Sequence, residues 1–271
     1  MPTPLVSCIL TVHDDARINL ARKAINNFIR QHYAPYQLIV VNSCSQSVLT
    51  NDSMAEDIVL KSGCTSVECY AEPGLNASQM KNLGLTMAAG DWVMCIDDDD
   101  YFHPSRLLYQ MAHRVDNAPC MLKYQLRLDI SSALVNNENF VYAVQPLLHL
   151  QKIDSGIPCT MLFPRLNKEG QPWLFDPDIE INEYAELLAR MLQHNANYVA
   201  CDNMHNVFNN GLHWPLLSVA IYHGNNQLNY SQFFSDSANT PGHVSDVPEG
   251  INQNDIEHLK YILQMYNFKV S

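Results

Sequence analysis

Charge is scarce in this chain: 16% of its 271 residues are Asp, Glu, Lys or Arg, and 28 acids outnumber 16 bases for a net charge of −12. That balance argues against a nucleic-acid partner and against electrostatic docking on anionic lipid, because both require a basic surface. None of the eight cysteines forms a Cys-x-x-Cys pair, and no Cys/His spacing resembles a zinc site. Cys8, Cys95 and Cys201 lie in apolar runs, where a thiol is ordinarily a small buried hydrophobe. Free thiols in a reducing compartment are therefore expected, and with them a cytoplasmic location. No stretch is long and apolar enough to be a transmembrane segment. The apolar run from Leu5 to Val12 is too short for a signal peptide and lacks a basic leader. Internal repeats are absent as well. These absences leave a soluble α/β protein large enough for one sizeable core.

What is present has a regular order. Leu5 to Val12 reads as a buried strand ended by His13-Asp14-Asp15, and a helix carrying Leu20, Ala24, Phe28 and Ile29 follows. Gln37 to Val41 is a second buried strand after Pro35. Unbroken Val/Ile runs of this kind belong to a parallel sheet covered on both faces. Asn76 or Ser78 caps a helix with Met80, Leu83, Met87 and Ala88, which Gly90 closes. Trp92 to Ile96 is a third buried strand, and Pro104 suits the first turn of a helix bearing Leu107, Leu108, Met111 and Val115. The first half is thus doubly wound α/β, a fold that gathers ligands at the carboxyl ends of its strands. The later half is less regular. Strands are expected near 121–130, 139–147, 198–201 and 216–222, a helix over 184–192, a loop over 236–255 and a closing helix over 255–266.

The third strand ends in four consecutive carboxylates, Asp97-Asp98-Asp99-Asp100. Like charges a few ångströms apart raise one another's pKa, and a cation among them removes that cost. Mg²⁺ or Mn²⁺ takes one or two carboxylates and completes its shell with phosphate oxygens and water. A strand-ending Asp-x-Asp can therefore hold a metal with one acid while the other accepts hydrogen bonds from a ribose. The plainer reading is that Asp99 and Asp100 favour the positive end of the next helix, but four in a row exceed what a cap needs.

Three segments carry a resemblance. Val6 to Asp14 resembles the opening strand of family 2 glycosyltransferases of the GT-A fold. Leu38 to Ser45 is similar to their second strand, with Asn42-Ser43-Cys44 in place of the usual Asp-Asp-Gly. Asn76 to Gly84, Gly90-Asp91-Trp92 and Ile96 to Tyr101 follow their ordered signature, and the match extends over residues 1–115. The resemblance implies a GT-A Rossmann-like, doubly wound mixed sheet in a single domain, residues 1–235, with a nucleotide-binding half (1–115) and an acceptor half (116–235). A mobile loop and C-terminal helix follow at 236–271, the helix being the candidate homodimer surface.

The implied activity is inverting transfer of a sugar from a nucleoside diphosphate donor, a UDP-sugar above all, to a glycan or lipid-linked acceptor. By position, Thr11, His13, Asn42, Lys81, Asp97 and Asp98 would bind the nucleotide. Asp99 would hold Mn²⁺ or Mg²⁺, and His223 would complete the metal shell. Glu183 matches the Glu of the family's Glu-Asp pair, but Tyr184 stands where the catalytic Asp is usual, which makes Glu183 the nearest candidate base. Two other readings stay open. One is a binder without turnover, in keeping with Tyr184. The other is a nucleotidyltransferase, although His13 to Arg17 lacks the glycines of a phosphate loop.

Overall fold

The computed structural model describes residues 3–49, 67–70, 73–129, 147–194, 197–203, 217–222, 242–243, 258 and 261–262. His223, the 136–139 turn and all but two residues of the expected 236–255 loop lie outside these.

Strand β1 (Val6–Val12) is buried along its whole length, as is β2 (Tyr36–Asn42), and α1 (Ile18–Phe28) joins them. They pair in parallel, Val6 beside Tyr36 through Val12 beside Asn42. Beyond β2 lies β3 (Val67–Tyr70), also parallel. On the other side of β1 runs β4 (Trp92–Ile96), in register from Val6 beside Trp92 to Leu10 beside Ile96. The chain thus winds outward from β1 in both directions, which opens a crevice at the carboxyl ends of β1 and β4.

The sheet is mixed, as expected. Antiparallel β9 (Leu162–Pro164) lies between β4 and β6 (Cys120–Leu122), and β10 (Val199–Cys201) closes the edge, giving the order β10-β6-β9-β4-β1-β2-β3. A smaller five-stranded sheet also forms, mostly from the second half; the strands expected near 121–130 and 216–222 belong to it, but the sequence pattern did not reveal that they join one sheet. It contains β5 (Tyr101–Phe102), β7 (Tyr124–Asp129), β8 (Leu147–Lys152), β11 (Ser218–Tyr222) and β12 (Gly242–His243) in the order β12-β8-β7-β11-β5. Several of its strands are short and gather from distant parts of the chain, so no local run of residues announces it.

Alternate residues of the strands feed two cores. Cys8, Leu10, Leu38, Val40 and Met94 pack with Ala21, Ile25 and Phe28 of α1 on one face. Ile9, Ile39, Val41, Val93 and Cys95 pack on the other with Met80 and Leu85 of α2 (Ala77–Met87) and with Leu187 and Met191 of α4 (Glu183–His194). The helix α3 (Arg106–His113) begins later than Pro104 because Arg106 first closes a turn onto the His103 carbonyl. It buries Leu107 and Met111 and leaves Leu108 exposed, while Val115 lies beyond its end and is exposed too, so the expected four-residue apolar face is only half of one.

Asn76 provides the cap of α2, in a reciprocal capping box with Gln79. The following glycines allow close approach to β1. A Cβ on Gly84 would lie 2.5 Å from Ile9 Cγ2, and one on Gly90 would lie 2.6 Å from the Ser7 amide nitrogen and 2.7 Å from the Leu5 carbonyl oxygen. The second contact is with backbone, which cannot turn away. Gly90→Ala is therefore expected to lower the unfolding free energy by about 2 kcal/mol or more. Urea denaturation checks this, and an unchanged midpoint would mean that the start of β1 yields freely.

Candidate functional site

Parallel register decides what meets at the crevice. Because Ile96 lies beside Leu10, Asp97 emerges level with Thr11 and the acids run out beside the loop that follows β1. That loop is a short 3-10 turn, Asp15–Arg17, capped by Asp14. Asp15 ties it to the end of β2, accepting from the Ser45 amide and hydroxyl at 2.8 Å each. The polar ends of β1, β2 and β4 thus lie together at the crevice. Thr11 is buried and His13 exposed.

Asn42 is fully buried, and both ends of its amide serve the turn after β2. Its Oδ1 accepts from the Cys44 amide and its Nδ2 donates to the Gln46 carbonyl, each at 2.8 Å. The expected contact with a base would compete with both bonds, and the side chain acts here as a turn former.

Three of the four aspartates are buried, with Asp97 the more open one. Arg17 compensates two of them: its Nε donates to Asp98 Oδ2 at 2.8 Å, its Nη2 reaches Asp98 Oδ1, and the same Nη2 reaches Asp99 Oδ2 at 2.7 Å. Burial works against the guanidinium charge, but the two carboxylates outweigh it and hold the pKa above the ordinary arginine value. Asp98 is raised by burial, with Arg17 pulling the other way. Asp100 turns inward and accepts from the Ile221 amide at 3.1 Å, and burial with its acidic neighbours lifts it far above the usual carboxylate range.

A second cation lies on the other side of Asp97. Lys81, only 3% exposed, donates from Nζ to Glu183 Oε1 at 2.5 Å and stands 4.4 Å from the centre of the Tyr184 ring. Burial opposes its charge, yet Glu183 and Asp97 hold its pKa above the usual lysine value. The predicted base and a predicted nucleotide contact are thus partners in one buried pair. What sets their geometry is a clasp between α2 and the segment before α4. Asn76 donates to the Pro177 carbonyl at 2.8 Å, Ser78 donates to the Ile179 carbonyl at 2.6 Å, and Asn82 exchanges two bonds with the Phe175 backbone.

Tyr184 points into the core. Its hydroxyl is buried with no closer polar company than the weakly bonding Cys95 thiol, and burial followed by the nearby Asp97 raises its pKa far above 10. A phenol that holds its proton so firmly is no general base.

Residues 7–128 match the profile of glycosyl transferase family 2. An uncharacterized glycosyltransferase of Rickettsia typhi is 27% identical over 210 residues, 72% of this chain and 61% of that protein. YwdF of Bacillus subtilis, another uncharacterized glycosyltransferase, is 26% identical over 113 residues, 42% of this chain and 39% of its own. This chain therefore spans less than two thirds of either relative. In three dimensions S. aureus TarS 1–349 in complex with UDP-GlcNAc is similar, with a TM-score of 0.51 at 14% identity, covering 85% of this chain and 63% of that one. The fold is of the GT-A type, a mixed α/β sheet with a mostly parallel centre. The profile covers the crevice formed by β1, β2 and β4 and stops before Glu183.

Sequence reasoning did not single out Arg17, Arg106 or the α2 clasp. Arg106, 1% exposed, lies close enough to Asp100 and Asp97 to feel both and bonds Ser218 and Gln110 at 3.2 Å. The one available signal for Arg17 was a lone base in the loop after β1, level with the acid run once the strands are paired in parallel. Both Asp98 oxygens and Asp99 Oδ2 are held by Arg17, and among the described residues no three His, Cys, Asp or Glu side chains converge as a cation cage. In this arrangement the expected metal ligand, Asp99, shares its Oδ2 with the Arg17 guanidinium, so a divalent ion would have to compete with Arg17 for these three oxygens. His223 lies outside the described residues.

Asp97 makes a measurable prediction. Burial, relieved in part by Lys81 and reinforced by Asp99 and Glu183, raises its pKa from 3.8 to about 6. The folded protein holds this proton more tightly than the unfolded chain. The group's contribution is therefore full below pH 3.8 and is lost as pH rises through 6. Asp97→Asn should stabilise the fold at pH 7.5 by roughly 1–2 kcal/mol after discounting its partial exposure, and the gain should fade towards pH 4. Thermal unfolding of both proteins across that range tests the claim. A gain that is the same at every pH would refute the electrostatic cause.

Proposed function

We propose that this protein transfers a sugar from a nucleoside diphosphate donor, a UDP-sugar, to a hydroxyl of a glycan or lipid-linked acceptor, with inversion at the anomeric carbon. The observation that carries this reading is the buried Lys81–Glu183 pair, which ties the first turn of α4 in the second half of the chain to α2 of the first, close enough to Asp97 at the carboxyl end of β4 for each to feel its charge. In the proposed arrangement Thr11, His13 and the acids at the β1–β4 crevice receive the nucleotide. Glu183 accepts the acceptor's proton as its oxygen attacks the sugar, and Lys81 holds that carboxylate in place. The profile match over residues 7–128 supports the donor half, and the relatives named as glycosyltransferases support the reaction class. A TarS structure is described as a complex with UDP-GlcNAc, and its likeness to this chain supports a fold suited to such a donor.

The burial of the Lys81–Glu183 pair also favours a second reading, a binder without turnover, because an occupied carboxylate must first be freed to take a proton. Activity separates them. Glu183→Gln should cut transfer by about a hundredfold or more while UDP binding is little changed. That substitution also strands a buried ammonium, at about 3 kcal/mol or more. Lys81→Met with Glu183→Gln controls for the loss, since it removes both charges and should be nearly as stable as the natural protein but equally inactive. Tyr184→Phe should remain active and gain about 1 kcal/mol of stability, because it deletes a buried hydroxyl with only a weak thiol partner. Transfer and donor hydrolysis are measured for each variant with a panel of UDP-sugars. Near-natural transfer by Glu183→Gln would remove Glu183 from the mechanism. Absence of turnover in the natural protein alongside firm UDP binding would favour the binder.

A further inference from the structure

The guanidinium on the 3-10 turn takes up oxygens that a divalent cation would need. Arg17, Asp98 and Asp99 are all buried, with side-chain exposures of 11, 4 and 8%. Arg17 binds Asp98 through two nitrogens and Asp99 through one of the same two. A cation taking these same three oxygens would displace the guanidinium and leave it buried without compensation, an unfavourable exchange. A guanidinium also suits what comes next in the site, since its flat fork matches phosphate oxygens as well as carboxylates and keeps its charge at every working pH.

We propose that Arg17 is the resident counter-cation of the acidic turn. It holds the place on Asp98 and Asp99 that a divalent ion would otherwise take, so a nucleoside diphosphate binds beside it without added metal. The second half of this statement rests on the nucleotide-donor reading; the first half does not. Its chemistry is that of charge compensation alone, with no bond made or broken. Arg17 is accordingly a positioning residue, acting on the donor through the acids that it orders.

Calorimetry on the full chain tests both halves. Mn²⁺ alone is titrated into the natural protein, Arg17→Gln and Arg17→Lys. The natural protein should show no saturable binding up to millimolar Mn²⁺. Arg17→Gln should gain affinity by about tenfold or more, and Arg17→Lys, with a charge but no fork, should fall between them. UDP is then titrated in EDTA and in Mn²⁺. The natural protein should bind it with affinities within roughly threefold of each other, whereas Arg17→Gln should require Mn²⁺. Mn²⁺ binding by the natural protein as tight as that of Arg17→Gln would overturn the proposal, as would a tenfold or greater loss of UDP affinity in EDTA. Should Arg17→Gln fail to fold, the EDTA comparison on the natural protein still decides. If UDP binds under no condition, the donor reading falls, and the Mn²⁺ series alone judges Arg17.

Discussion

Four carboxylates leaving one strand end must be compensated, and much of the site is arranged around that requirement. Burying like charges side by side raises their proton affinity and weakens the fold. The protein answers from two directions. Arg17 approaches from the loop after β1 and takes Asp98 and Asp99. Lys81 approaches from α2, pairs with Glu183 and lies within the influence of Asp97. Asp100 is turned inward to a backbone amide, within the influence of Arg106. Asp97, partly exposed and without a hydrogen bond among the described residues, is left facing the crevice with a raised pKa.

The two cations differ in what they link. Arg17 joins neighbours within the doubly wound half, so its pairing organises the crevice itself. Lys81 joins the halves. It rises from α2, whose cap and polar face also grip residues 175–179 through Asn76, Ser78 and Asn82. That clasp delivers the first turn of α4 to the acids, and the two glycines after it let α2 and its exit lie close on β1. The asparagines that read as part of a nucleotide-binding signature are thus occupied, in this structure, with holding Glu183 in position.

Catalytic sites commonly keep a proton acceptor ionised and oriented by a fixed neighbour. Lys81 holds Glu183 in one orientation, and the ring of Tyr184 lies against the ammonium. The substitution of tyrosine at a place where the family resemblance led one to expect an acid therefore has a structural sense. The ring completes the apolar floor under the ion pair, packing edge-on to Phe175, while the neighbouring glutamate carries the charge.

Local physics made the core elements legible in the sequence alone. Unbroken apolar runs marked β1, β2 and β4, the Asn76 cap marked α2, and the acid run marked the business end of the sheet, because strand burial, helix capping and charge density are properties of a few adjacent residues. The resemblance carried the fold class and named candidate residues. The partners of those residues came only with the tertiary structure. Arg17 and Asp98 are 81 positions apart, and Lys81 and Glu183 are 102 apart. No periodicity connects such pairs. The parallel register of β1 with β4 brings the first together, and the α2 clasp the second. The same holds for Tyr184: its neighbour at the start of α4 reaches Lys81 while its own ring turns into the core, a difference of direction that spacing cannot express and packing decides.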